Sequence, residues 1–114
     1  MLTIEKLKAY GANVDEGLSR CMNREDFYLR LVNMELGDAN FDKLDRAVKA
    51  GEAREAFEAA HALKGVLGNL SLTPLFTPVA ELTEKLRGAQ DTSGAGELPE
   101  RIADQLAKLK ALAE

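Results

Sequence analysis

The chain contains one histidine, His61, and its surroundings are unusual for a surface helix: it lies in FEAAHALKGVLGNL, with Lys64 at i+3, Gly65 at i+4 and Gly68 at i+7. At roughly 100° per residue, His61, Gly65 and Gly68 share one strip of a helix, while Ala56, Ala60, Leu63, Val66, Leu67 and Leu70 form the face turned toward a core. Each glycine costs about 1 kcal/mol relative to alanine inside a helix. Two of them beside the imidazole bare the backbone, so that a rigid surface can approach it or the ring can carry a bulky group. An imidazole titrating near pH ~6.5 offers a neutral nucleophilic nitrogen at neutral pH, and an N-phosphoryl group on it is labile enough to be passed on. Lys64, a neighbour on the helix surface, could bring its ammonium to that group with a charge-assisted hydrogen bond.

The elements that must position these residues read as helices. Alanine and leucine dominate, whereas valine, isoleucine and threonine are few, a balance that favours helix over strand. Asn13 and Asn23 are each followed by acids, which predicts two N-caps, the second opening a helix from about Arg24 to Leu36 with Phe27, Leu31 and Met34 on one face and Gly37 as its stop. Asp38 or Asn40 caps the next, whose apolar face is Phe41, Leu44, Ala47 and Val48 and whose end is Gly51. The helix carrying His61 runs from Glu52 to about Leu70. The following segment starts either as a kinked helix from Pro74, with Thr73 as cap, or from Pro78, with Thr77 as cap; Val79, Leu82 and Leu86 form its stripe. GAQDTSGAGE reads as a mobile connector, and Leu98, Ile102, Leu106, Leu109 and Leu112 stripe a last helix from about Glu97 to Leu112. Such stripes bury only against one another. The expected fold is all-α, an antiparallel up-down four-helix bundle with additional short N-terminal helices, as a single domain over residues 1–114.

Composition excludes several function classes. A net charge of −4 gives no field for phosphate backbones or anionic lipid, so neither nucleic acid nor membrane is an expected partner. Cys21 is the only cysteine, which removes intramolecular disulfides and fits a reducing, cytoplasmic location. No apolar run approaches the roughly 20 residues of a membrane span, and the N-terminus is charged within its first five residues.

The run His61-Ala-Leu63-Lys64-Gly65-Val-Leu-Gly68-Asn69-Leu70, preceded by an alanine-rich turn, resembles the signature of histidine-containing phosphotransfer (HPt) domains of multistep bacterial phosphorelays. The resemblance extends to the order of segments over nearly the whole chain. It implies a phosphoryl carrier: His61 accepts a phosphoryl group, on Nε2, from a receiver-domain aspartate or a sensor or hybrid kinase and returns it to a receiver aspartate. It implies further that Lys64 steadies the group, that Gly65 and Gly68 admit the receiver, and that Phe57 supplies an apolar docking contact. The chain would then hold no cofactor or metal, magnesium being supplied by the receiver. Two positions depart from the family pattern: Leu67 stands where many members have a small residue, and Ser71 where they have glycine. Leu67 lies on the core side of the helix and reads as packing, while Ser71 bears on the turn that ends it.

Rival readings are weaker. Glu58 and His61 have the Glu-x-x-His spacing of di-iron bundles, but one histidine cannot complete such a centre within one chain. No serine or cysteine shares the face of His61, which argues against a hydrolase and against independent turnover. The alternative kept is an adaptor with the same bundle that docks to a receiver or kinase without carrying phosphate. Met1 and the full helical set suggest a free-standing protein, and a complete bundle is expected to be monomeric.

Overall fold

Caps and glycines divide the chain much as the pattern of side chains predicts. A computed structural model describes all 114 residues as seven α-helices and one short 3₁₀ turn: α1 (Ile4–Tyr10), α2 (Val14–Arg20), α3 (Glu25–Leu36), α4 (Ala39–Ala50), α5 (Ala53–Asn69), α6 (Thr73–Leu86), the turn Ser93–Ala95, and α7 (Leu98–Leu112). The Thr3 hydroxyl accepts from the Lys6 amide, Asn13 Oδ1 from the Glu16 amide and Asp38 Oδ1 from the Asn40 amide, so three helix starts carry side-chain caps. Gly51 closes α4 in the left-handed conformation that glycine adopts without strain. No helix is long and apolar enough to cross a membrane.

The core is a leucine and alanine interior. Leu63 and Leu67 of α5, Leu75, Val79 and Leu82 of α6 and Leu109 of α7 are fully buried, together with Leu7, Val14, Tyr28 and Val32 from the N-terminal third. Helix α5 packs against α4 on one side and α6 on the other, α6 packs against α7, and α7 also meets α1 and α3. Burial of these side chains, at about 25 cal/mol per Å² of apolar surface, is what holds otherwise short helices in place.

Several expectations need correction. Asn23 caps nothing: it stands with φ 57° in the turn after α2, and the N-cap of α3 is Arg24, which offers no side-chain bond. The buried face of α3 is Tyr28, Val32 and Glu35, one residue on from the predicted stripe; Phe27 and Leu31 are half-buried and Met34 is 67% exposed. Tyr28 sets this rotation, because its hydroxyl donates to the Leu70 carbonyl across the core at 2.8 Å. Burial pushes that phenol up to about 12, Cys21 adding to the effect. Helix α6 starts at Thr73 and runs through Pro78; its N-cap is Leu72 and no Thr side chain caps it. Burial of Leu75, Pro78, Val79, Leu82 and Leu86 outweighs the one backbone bond that Pro78 forgoes. The glycine-rich connector is tied down: Thr92 and Ala95 are buried, Thr92 Oγ1 donates to the Val48 carbonyl at 2.7 Å, and Asp91 caps Ser93.

Candidate functional site

Alanines at 56, 59 and 60 let α5 lie close to its neighbours with all three side chains fully buried, and the next residue, His61, is turned out to solvent. Its ring does not stand alone. Phe57, one turn earlier and half-buried, stacks on the imidazole with centroids 5.6 Å apart and planes 12° from parallel. The guanidinium of Arg87, just beyond α6, lies 5.0 Å from the same phenyl centroid. Arg87 in turn donates from Nη2 and Nε to Glu84 at 2.9 and 3.2 Å, and the Lys64 ammonium reaches Glu84 Oε2 at 3.9 Å.

The result is a small charged cluster at the rim of His61 with one carboxylate shared by two cations. The hydrogen bond from Arg87 holds the Glu84 carboxyl below its usual range, with the charges of Arg87, Lys64 and His61 adding to it. The bond to Glu84 likewise raises Arg87. These groups are solvated, so the pairs orient side chains more than they stabilise the fold. Lys64 and Arg87 thus converge on Glu84 beside the helix that carries His61.

Gly65 and Gly68 follow His61 one and two turns along α5, in unlike surroundings. A methyl at Gly65 would meet nothing within 4 Å, whereas at Gly68 it would touch the Phe76 ring at 3.9 and 4.0 Å, because α6 leans over that turn and half-buries it. Val66, expected in the core, is 39% exposed. The reason is geometric: α3 makes its main contacts with α2 and α7, leaving a groove between α3 and the end of α5. Leu67 is fully buried, in keeping with its reading as a packing residue.

The end of α5 is held by α2. Ser71 takes the left-handed conformation at φ 56°, at the position where the family pattern carries glycine. Its hydroxyl accepts from Arg20 Nη1 at 2.8 Å and donates to Glu16 Oε1 at 3.2 Å. The same Arg20 nitrogen donates to the carbonyls of Gly68 and Asn69 at 2.9 and 3.3 Å, adding a donor at the end of the helix where the Gly68 carbonyl already accepts from the Ser71 amide. Gly17 makes this approach possible, since a Cβ there would lie 2.6 Å from Tyr28 Cε1 and 2.9 Å from the Leu70 carbonyl oxygen.

The predicted residues His61, Lys64, Gly65, Gly68 and Phe57 are thus brought to one surface. Sequence reasoning missed Glu84, Arg87 and Phe76, which come from the neighbouring helix and its end. Their only local signal is the Glu84–Arg87 spacing at the end of an amphipathic helix.

No curated protein and no solved structure matches the chain. The profile of the Hpt domain family does match, over residues 33–112, from the end of α3 to the end of α7. That stretch is more than two thirds of the sequence and contains His61, so the chain belongs to the Hpt domain family, whose members are phosphotransfer modules of two-component signalling.

Proposed function

We propose that this protein is a phosphorelay intermediate that reversibly carries a phosphoryl group on His61. The observation that carries this reading is the exposed imidazole stacked on Phe57, with Arg87 on the same phenyl ring and Lys64 one turn further along the helix, both cations reaching Glu84. A neutral ring nitrogen attacks the phosphorus of a receiver's aspartyl phosphate. The N–P bond forms as the P–O bond to the carboxylate breaks, the aspartate leaves as its carboxylate, and the other ring nitrogen keeps its proton. Lys64 steadies the transferred group, and Gly65 and Gly68 admit the receiver surface. Phe57 holds the ring and offers an apolar edge to the partner.

On this reading the chain is a carrier without independent turnover and has no resident cofactor, magnesium being bound by the receiver. Helices α4 to α7 make an up-down four-helix bundle, supported by the successive packing of α4 on α5, α5 on α6 and α6 on α7. The short α1 and α2, together with α3, complete a single domain over residues 1–114. The protein acts as a cytoplasmic monomer whose partners are receiver domains and a sensor or hybrid kinase.

Intact-protein mass after mixing with a phosphorylated receiver domain and magnesium tests this. One added phosphoryl group, acid-labile and missing in His61→Gln, is the expected result. Binding to a broad panel of receivers with no adduct on any of them overturns the carrier reading in favour of a docking adaptor.

A further inference from the structure

Beside the histidine surface, the groove between α3 and the end of α5 has a volume of about 420 Å³. Its walls are apolar: Leu31, the 67% exposed Met34 and the 39% exposed Val66. Its floor is acidic. Glu35 is only 7% exposed, and its Oε2 is sealed from solvent with no hydrogen-bond partner. Asp38, the α4 cap, lines the same groove, and no cation pairs with either carboxyl.

A buried carboxyl oxygen without a partner is costly, and Glu35 leaves its Oε2 in that state. Burial pushes Glu35 up to about 8, a side-chain hydrogen bond with Asp38 and the charge of that neighbour adding to it, and no positive charge stands between the two acids. What the groove lacks is a cation on an apolar stem. Its wall is continuous with the strip beside His61, since Val66 and Asn69 directly follow Gly65 and Gly68 on α5.

We infer that this groove seats an arginine or lysine side chain of the docking receiver, the stem lying between Met34 and Val66 and the charge meeting Glu35 and Asp38. Met34, unbranched and exposed, is suited to closing over stems of different length. The seat would fix the rotation of a partner laid across Gly65 and Gly68, and so aim its aspartate at His61. Assignment of the cation to the receiver rests on the carrier reading; the chemistry of the seat does not.

Two measurements test it on the full chain. In an NMR titration with n-butylguanidinium, the Met34 and Val66 methyls and the Asn69 amide should shift saturably. Neither guanidinium ion nor n-butanol should reproduce this, and above about pH 8, where Glu35 is ionised, Glu35→Gln should weaken it at least about ten-fold, an ion pair in a partly desolvated site being replaced by a neutral contact. Asp38→Asn, which keeps the α4 cap, should weaken it as well. Absence of saturation, equal binding by both variants, or shifts gathered instead at Asp42 and Asp45 on α4 would overturn the seat. In transfer from a phosphorylated receiver, Glu35→Gln should raise the receiver concentration needed for half-maximal rate. An unchanged concentration dependence overturns the assignment to the receiver. Failure of any receiver to label His61 is a failure of the carrier reading and removes that assignment with it, while the titration still decides the seat.

Discussion

The phenyl ring of Phe57 lies almost parallel to the imidazole of His61, 5.6 Å away and one turn earlier on the same helix. The contact limits the positions the imidazole can sample, and the Arg87 guanidinium beside the phenyl ring brings α6 into the same arrangement. Phe57→Ala should therefore slow labelling of His61 several-fold and destabilise the fold by roughly 1–2 kcal/mol, since a half-buried aromatic is lost. Phe57→Leu should recover most of the stability but not the rate. Urea midpoints and labelling rates measured on both variants separate packing from ring positioning, and equal rates for the two would mean that Phe57 acts by packing alone.

Glu84 pairs with Lys64 and Arg87, and on the proposed function it would compete with a phosphoryl group on His61 for them. Neutralising it in Glu84→Gln should lengthen the lifetime of phosphohistidine by about two- to five-fold, the modest effect expected of exposed pairs. High salt should erase the difference. Phosphorylating with phosphoramidate, a small donor that needs no partner protein, and following the decay of the adduct by mass gives the answer.

Gly65 is bare because nothing in the fold occupies the space beside it. Gly65→Ala should then stabilise the protein by about 0.5–1 kcal/mol through helix propensity. Phosphoramidate labelling should be nearly unaffected, while transfer from a receiver slows. A rise in thermal midpoint with undiminished receiver transfer would show that the glycine has no part in docking.

The residues of the site were largely legible in the sequence, because His61, Lys64, Gly65, Gly68 and Phe57 lie on one helix, where spacing alone predicts neighbours. Glu84 and Arg87 were not, since they reach the site only through the packing of α6 on α5, which no local pattern encodes. Helix existence was legible from caps and stripes. The rotation of α3 was not: the predicted apolar stripe Phe27, Leu31 and Met34 lost to a face set by the long-range bond of Tyr28 to Leu70. The connector after α6 was misjudged because its composition is that of a loose loop, whereas the buried Thr92 and Ala95 anchor it. At Ser71 the departure from the family pattern marked the one left-handed residue in the turn after α5.

Ser71 carries two opposing effects, a strained φ of 56° and two side-chain bonds to Arg20 and Glu16. Ser71→Ala keeps the strain and loses the bonds, and should cost about 1–2 kcal/mol. Ser71→Gly loses the bonds but relieves the strain, so it should lie close to wild type. Arg20→Met, which leaves the Gly68 and Asn69 carbonyls without this donor, should cost on the order of 1 kcal/mol. Chemical denaturation ranks the three, and a glycine variant less stable than the alanine variant would contradict the strain argument.

Glu35 makes stability depend on pH in an unusual direction. Its carboxyl binds a proton more tightly in the folded chain, at about 8, than the ordinary 4.5. The folded state is therefore favoured fully below about 4.5, and that stability is lost as pH rises through about 8. The thermal midpoint should fall across this window, and Glu35→Gln should flatten the fall. A wild-type profile that rises across the same window, or one that the variant reproduces, would count against the assignment.

The clasp that Arg20, Gly17 and Tyr28 place on the end of α5 lies before residue 33, outside the stretch matched to the Hpt family. The segment shared with the family and the segment that must fold cooperatively therefore differ in length. A fragment trimmed to residues 33–112 would expose the α7 surface that α1 covers and would fray the helix bearing His61 from its C-terminal end. In hydrogen exchange the amides near Leu67 should lose protection before those near Ala56. The portability of the carrier helix, its capacity to work when moved into another chain, is thus governed by a clasp on which the helix's own motif is silent.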